Sequence, residues 1–129
     1  MGIQKELHVM NRDFMMMLGN MFGRKDNQGF SQGTMQELAQ WLQTEKNFIL
    51  LDVRTHEEFE EGHIPGAICI PNEMIAGEAA TKLPNKDQLI FVYCHSGMRS
   101  MMSANFLANQ GYTNVVECGG IVDWKGRLE

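Results

Sequence analysis

The run Leu89-Ile90-Phe91-Val92-Tyr93-Cys94-His95-Ser96-Gly97-Met98-Arg99-Ser100 decides the fold. Its apolar first half reads as a strand buried on both faces, the pattern of a parallel sheet covered by helices. The second half changes character at once, to turn formers, a glycine and a cation. From Met101 to Asn109 the residues favour a helix, and Gly111 supplies a natural stop for it. A strand that ends on a cysteine, turns through a short loop and opens a helix puts that cysteine beyond the carboxyl end of the strand. In α/β sheets that is where ligands bind.

Working outward, helix and strand signals alternate. Thr34-Met35-Gln36-Glu37 is a capping box, and Leu38, Trp41 and Leu42 follow at helical spacing. Phe48 to Val53 reads as another doubly buried strand. A charged helix from Thr55 to Glu61 and a strand from Ala67 to Ile70 come next. A helix around Asn72 to Thr81 and the turn Leu83-Pro84-Asn85 lead into the strand at Leu89, and Val115-Val116 opens a further strand. This alternation predicts an α/β layer fold with a parallel sheet and right-handed crossovers.

The loop carries the chemistry. Backbone N–H groups of the loop and of the first helical turn have no partners within the helix, so they can converge on one anion. The helix dipole adds to the same field, and Arg99 supplies a fixed positive charge at the rim. A thiol held there ionises more readily, because the thiolate is what those donors stabilise. A cysteine already ionised needs no general base, which fits a loop that itself contains no carboxylate. Four residues separate Cys94 from Arg99. That is one fewer than cysteine-dependent phosphatases place around a phosphate, and the tighter ring suits a smaller target, such as one extra sulfur atom. The spacing therefore favours sulfur transfer over phosphate hydrolysis.

The chain resembles the single-domain rhodaneses. The likeness rests on the loop together with Leu50-Leu51-Asp52-Val53-Arg54, Glu58-Phe59, Gly62-His63-Ile64-Pro65-Gly66-Ala67, and Gly119-Gly120-Ile121 with Trp124. It covers about residues 30 to 128, which makes residues 30–129 a rhodanese-like domain. The resemblance implies a three-layer sandwich, with a central, mostly parallel sheet of four to five strands flanked by helices. It implies a ping-pong sulfurtransferase: the Cys94 thiolate takes the outer sulfur of thiosulfate or of a persulfide donor and carries it as a persulfide. A thiol, which could be a protein thiol, or cyanide then removes it. His95, Ser96, Gly97, Met98, Arg99 and Ser100 would line the persulfide cradle, and no cofactor is expected. Many rhodaneses carry Arg directly after the cysteine where this chain has His95. Imidazole is only partly charged at neutral pH and lacks the guanidinium fork. His95 either faces solvent or contacts the donor. A second reading stays open, in which the domain is a sulfur carrier or regulatory module with little small-molecule turnover.

The other signature residues read as architecture. Asp52 ends a strand, and Arg54 and Glu58 stand four apart at a helix start, the spacing of a structural ion pair. His63 reads as a hydrogen-bonding brace. The four histidines and three cysteines have no paired ligand spacing, so no metal site is expected. Cys69 reads as core. Cys118 should stand near the same sheet edge as Cys94, as either a buried inert thiol or a resolving cysteine.

Composition bounds the partners. A net charge of −5 over 129 residues with no basic run argues against nucleic acid, and no stretch approaches a membrane span. Three cysteines with no even framework suggest a reducing, cytoplasmic setting. Residues 1–29 form a separate N-terminal extension that holds six of the eleven methionines: Met1, Met10, Met15, Met16, Met17 and Met21. Leu7, Met10, Phe14, Met17, Leu18 and Met21 recur at helical spacing and predict an amphipathic helix. Its stripe can pack on the domain, pair with a second copy or another protein, rest on a membrane surface, or stay disordered. No signal peptide pattern is expected in it.

Overall fold

The computed structural model describes residues 29–129. The methionine-rich stripe and its expected helix lie outside the described residues. The elements run β1 (Ser31–Gln32), α1 (Met35–Thr44), β2 (Phe48–Asp52), α2 (His56–Glu61) and β3 (Ile68–Cys69). A 3-10 turn (Asn72–Met74), α3 (Ile75–Lys82), β4 (Leu89–Cys94), α4 (Met98–Asn109), β5 (Val115–Gly120) and a last 3-10 turn (Ile121–Asp123) complete the order. The five strands form one sheet in the order β1-β5-β4-β2-β3, with every neighbouring pair parallel.

Local chemistry accounts for the elements. Thr34 caps α1 and Thr55 caps α2 through full capping boxes, with Glu37 and Glu58 returning a carboxylate to the cap N–H. Such caps contribute about 1 kcal/mol each. β4 is buried along its whole length, because helices cover both of its faces. Leu51, Ile90, Val92 and Cys94 face a cluster completed by Ile75 and Leu83 around α3 and by Ala104 and Leu107 of α4. Leu89, Phe91, Tyr93 and Cys118 face the other layer, with Met35, Leu38 and Trp41 of α1. This is the three-layer α/β sandwich expected.

Three differences from the sequence reading bear on the site. The helix after Cys94 begins at Met98, three residues before Met101, because Gly97 serves as its N-cap at φ 113° without any side-chain cap. The edge strand β1 is too short to leave a periodic signal, yet it pairs with β5 at Ser31↔Val116 and Gln32↔Glu117. On β5 the register with β4 slips between Val92 and Cys94, so that Cys94 lies opposite Gly120. Gly119, at φ 86°, takes up the extra residue.

Candidate active site

Cys94 closes β4, and its thiol forms the floor of the loop, only 1% exposed. The N–H of Gly97 donates to Cys94 Sγ at 3.0 Å. Around it, His95, Ser96 and Met98 are exposed, Gly97 and Arg99 are half-buried, and Ser100 is buried. The structure thus gathers all seven predicted site residues on one loop and the first turn of α4. The loop is tied down from β5 and beyond. The N–H of Val122 donates to the His95 carbonyl at 3.2 Å. A Cβ on Gly120 would stand 2.1 Å from that same carbonyl oxygen, so glycine there is what lets the loop close on the sheet.

Arg99 is not the free rim charge the sequence suggested. Its guanidinium makes a two-pronged bond to Glu58 of α2, Nη1 to Oε1 at 2.7 Å and Nη2 to Oε2 at 3.1 Å. The bond from Arg99 is the largest of the effects that hold the Glu58 carboxyl down to about 2. The expected Arg54–Glu58 pair is therefore absent. Arg54 instead clasps Asp52, Nη2 to Oδ2 at 2.8 Å, and donates to the Gly62 carbonyl at 2.7 Å. Helical spacing misled because Arg54 precedes the cap of α2, so its side chain turns back along the strand end rather than along the helix. The Asp52–Arg54 pair is buried and braces the β2–α2 corner.

The site has a carboxylate after all. Glu117 comes up from β5, 3% exposed. Its Oε2 accepts from Ser100 Oγ at 2.5 Å and from the Gly119 N–H at 2.9 Å. Ser100 Oγ in turn lies 3.5 Å from Cys94 Sγ. Sequence reasoning passed over Glu117 because it looked for carboxylates within the loop. The available signal was a glutamate in the buried strand Val115-Val116-Glu117-Cys118, an expensive position for a charge without partners.

The remaining cysteines stand apart. Cys118 is buried in the layer opposite Cys94, bonds back to the Val116 carbonyl, and burial raises its thiol well above the usual range. It sits near the same sheet edge, but its side chain points away from the loop. Cys69 is half-buried and donates to the Arg54 carbonyl at 3.5 Å. Its thiol is pushed up to about 11, first by burial. His63 is the expected brace: its ring stacks on Phe59 at 3.7 Å and bonds the Phe59 carbonyl at 2.9 Å. Among the described residues no group of three or more His, Cys, Asp or Glu side chains could hold a metal ion, and no helix is long and apolar enough to cross a membrane.

Residues 34–127 match the family model described as a rhodanese-like domain. The chain is 37% identical over 73 residues to the thiosulfate sulfurtransferase PspE of Escherichia coli (strain K12), a match covering 57% of this chain and 70% of that protein. It is 35% identical over 97 residues to YrkF of Bacillus subtilis (strain 168), covering 74% of this chain, and it spans about half (51%) of that relative's length. Among solved structures, a rhodanese with anions from E. coli superposes with a TM-score of 0.59 at 33% identity, covering 63% of this chain and 95% of that one. A parallel-sheet strand ending on a cysteine whose sulfur accepts from the Gly97 N–H, with the family pattern running across most of the chain, places this protein in the rhodanese-like family.

Proposed function

We propose that this protein is a sulfurtransferase that carries sulfane sulfur on Cys94. The observation that supports this best is the Gly97 N–H at 3.0 Å from the Cys94 sulfur, at the head of a helix whose first-turn donors have no intrahelical partners. Thiosulfate or a persulfide is the donor. The Cys94 thiolate bonds to the outer sulfur of thiosulfate, the S–S bond of the donor breaks, and sulfite leaves with the electron pair. The persulfide anion that remains is held by the same donors, and a thiol or cyanide takes its outer sulfur. The relationship to PspE, itself named a thiosulfate sulfurtransferase, supports this donor class. A reducing, cytoplasmic setting fits the cycle, because Cys94 must be free of oxidation at the start of each turn.

The occupied fork of Arg99 favours a second reading. With its guanidinium spent on Glu58, the rim offers little to a free oxyanion, and the domain would then load from a protein persulfide and act as a carrier. One experiment separates the two. Intact mass is recorded after incubation with thiosulfate, for wild type and Cys94→Ala, followed by chase with cyanide. A gain of one sulfur atom on wild type alone, removed by cyanide, supports the enzyme. No gain from thiosulfate, but a gain from a persulfide-bearing protein, supports the carrier. No gain from either donor refutes sulfur transfer through Cys94.

A further inference from the structure

The loop floor holds a chain of three groups, Cys94, Ser100 and Glu117, that the sulfur-transfer cycle has not used. Ser100 Oγ stands among three acceptors, Glu117 Oε2 at 2.5 Å, the Gly97 carbonyl at 3.0 Å and the Gly119 carbonyl at 3.4 Å, and itself accepts from Cys94 Sγ at 3.5 Å. A hydroxyl has one proton to give. The short contact assigns that proton to Glu117, which leaves Ser100 able only to accept from the Cys94 S–H. The other donors to Glu117 are the Gly119 N–H at 2.9 Å and the Gln32 side-chain amide at 3.4 Å. All three donors are neutral. No cation pairs with the carboxylate among these donors, and it lies directly beneath a loop built to hold an anion on sulfur. Two negative charges on one short, buried hydrogen-bonded chain would oppose each other.

We propose that Glu117 and Cys94 share a single negative charge, exchanged through Ser100. The proposal rests on the reading of Cys94 as the sulfur carrier. In the resting site the charge is on Glu117 and Cys94 is a thiol bonded to Ser100. When the nucleophile forms, the Cys94 proton passes to Ser100 Oγ and the Ser100 proton passes to Glu117 Oε2. The thiolate then bonds to the donor's outer sulfur and sulfite departs with the electron pair. The persulfide keeps the negative charge, and Glu117 keeps the proton until the acceptor has taken the sulfur. Glu117 touches no reacting atom and acts through Ser100, so it is a positioning residue that ties nucleophile formation to a buried proton. The groups around it are accounted for. Gln32 approaches from β1, Ser100 from α4, Cys94 from the end of β4, and Cys118 beside it on β5 feels both Glu117 and Glu37 of α1. The nearby cation Arg99 is paired with Glu58 of α2.

Two measurements test this. In the first, wild type and Glu117→Gln are alkylated with iodoacetamide across a pH series, with mass mapping to Cys94 and a thermal melt to verify folding. Glutamine cannot carry the charge, and its amide can donate to Ser100, which frees the hydroxyl proton for sulfur. Glu117→Gln should therefore react roughly tenfold faster at neutral pH, and its profile should move to lower pH. An unchanged profile, as expected of a purely structural glutamate, or a slower reaction, as expected of an ordinary base, overturns the proposal. The second measurement needs no variant. An infrared difference spectrum of persulfide-loaded minus resting wild type should gain a protonated-carboxyl band that cyanide removes, and a loaded protein without that band overturns the proposal. If wild type takes up no sulfur from any donor, the sulfur-transfer reading fails. The alkylation profile then decides the shared charge on its own.

Discussion

Gly120→Ala is expected to cripple the site while leaving a folded protein. Gly120 has φ −123° and ψ 146°, ordinary extended values that alanine adopts freely, so the cost is steric. A Cβ there would lie 2.1 Å from the His95 carbonyl oxygen, 2.5 Å from Ser96 Cα and 2.6 Å from the His95 carbonyl carbon. All three are backbone atoms, and no side chain can swing aside. Ordinary contact begins at 3.4 Å, so the loop must withdraw by about 1.3 Å, the difference between the two distances. That movement pulls the His95 carbonyl from the Val122 N–H and moves the loop that carries Gly97 away from Cys94 Sγ. Overpacking of this kind costs about 1–3 kcal/mol, which lowers Tm by about 10 °C in a domain of this size. A misplacement of about 1 Å at a reacting centre costs about a hundredfold in rate. The assay is single-turnover persulfide formation by intact mass, beside a melt. Gly119→Ala is the control. Gly119 has φ 86° and nothing within 4 Å of its Cβ position, so it pays a backbone cost of about 1–3 kcal/mol without pressing on the loop, and loading should stay within about threefold of wild type. A folded Gly120→Ala that loads at the wild-type rate would refute the claim that the loop's seat on β5 sets the sulfur's donors.

Other outcomes follow from the same geometry. Cys94→Ser should abolish thiocyanate formation from thiosulfate and cyanide, while Cys69→Ser and Cys118→Ser keep most of it; a steady-state assay of the three decides. Glu58→Gln should free the Arg99 guanidinium and speed loading from thiosulfate, whereas Arg99→Ala should slow it by about tenfold, equivalent to about 1.4 kcal/mol at the barrier; equal rates in both variants would mean that neither group faces the donor. The Glu58 carboxyl is held at about 2 against an ordinary 4.5, chiefly by its bond to Arg99. The depressed value means that the folded state gains stability above pH 4.5 and loses it as the pH falls towards 2. Melts of wild type should therefore decline over that window more steeply than melts of Glu58→Gln. Deleting residues 1–28 should leave turnover per folded molecule within about threefold and change solubility or oligomeric state, read by light scattering; a large loss in a folded truncation would mean that the extension helps to build the site.

Which parts of this site were legible in the sequence follows from the range of the interactions involved. The strand, the loop and the helix that frame Cys94 are written in neighbouring residues, and local patterning is enough to read them. The capping box at Thr34 was likewise legible, because cap and partner stand three residues apart; the same spacing at Thr55 and Glu58 was read only as the start of a charged helix. What failed were the long-range electrostatic pairings. Arg99 lies 41 residues from Glu58, and Ser100 lies 17 from Glu117, so both depend on how crossovers stack strands and helices. A plausible local partner, Arg54 for Glu58, hid the first pairing. The second was hidden by a correct but incomplete observation, that the loop itself has no carboxylate. The parallel order β1-β5-β4-β2-β3 brings β5 beside β4, and the slip at Gly119 aligns Gly120 with Cys94. One strand thus supplies both the glycine on which the loop rests and the carboxylate beneath it. The carboxylate beneath the loop is therefore placed by sheet order, which local sequence spacing does not encode.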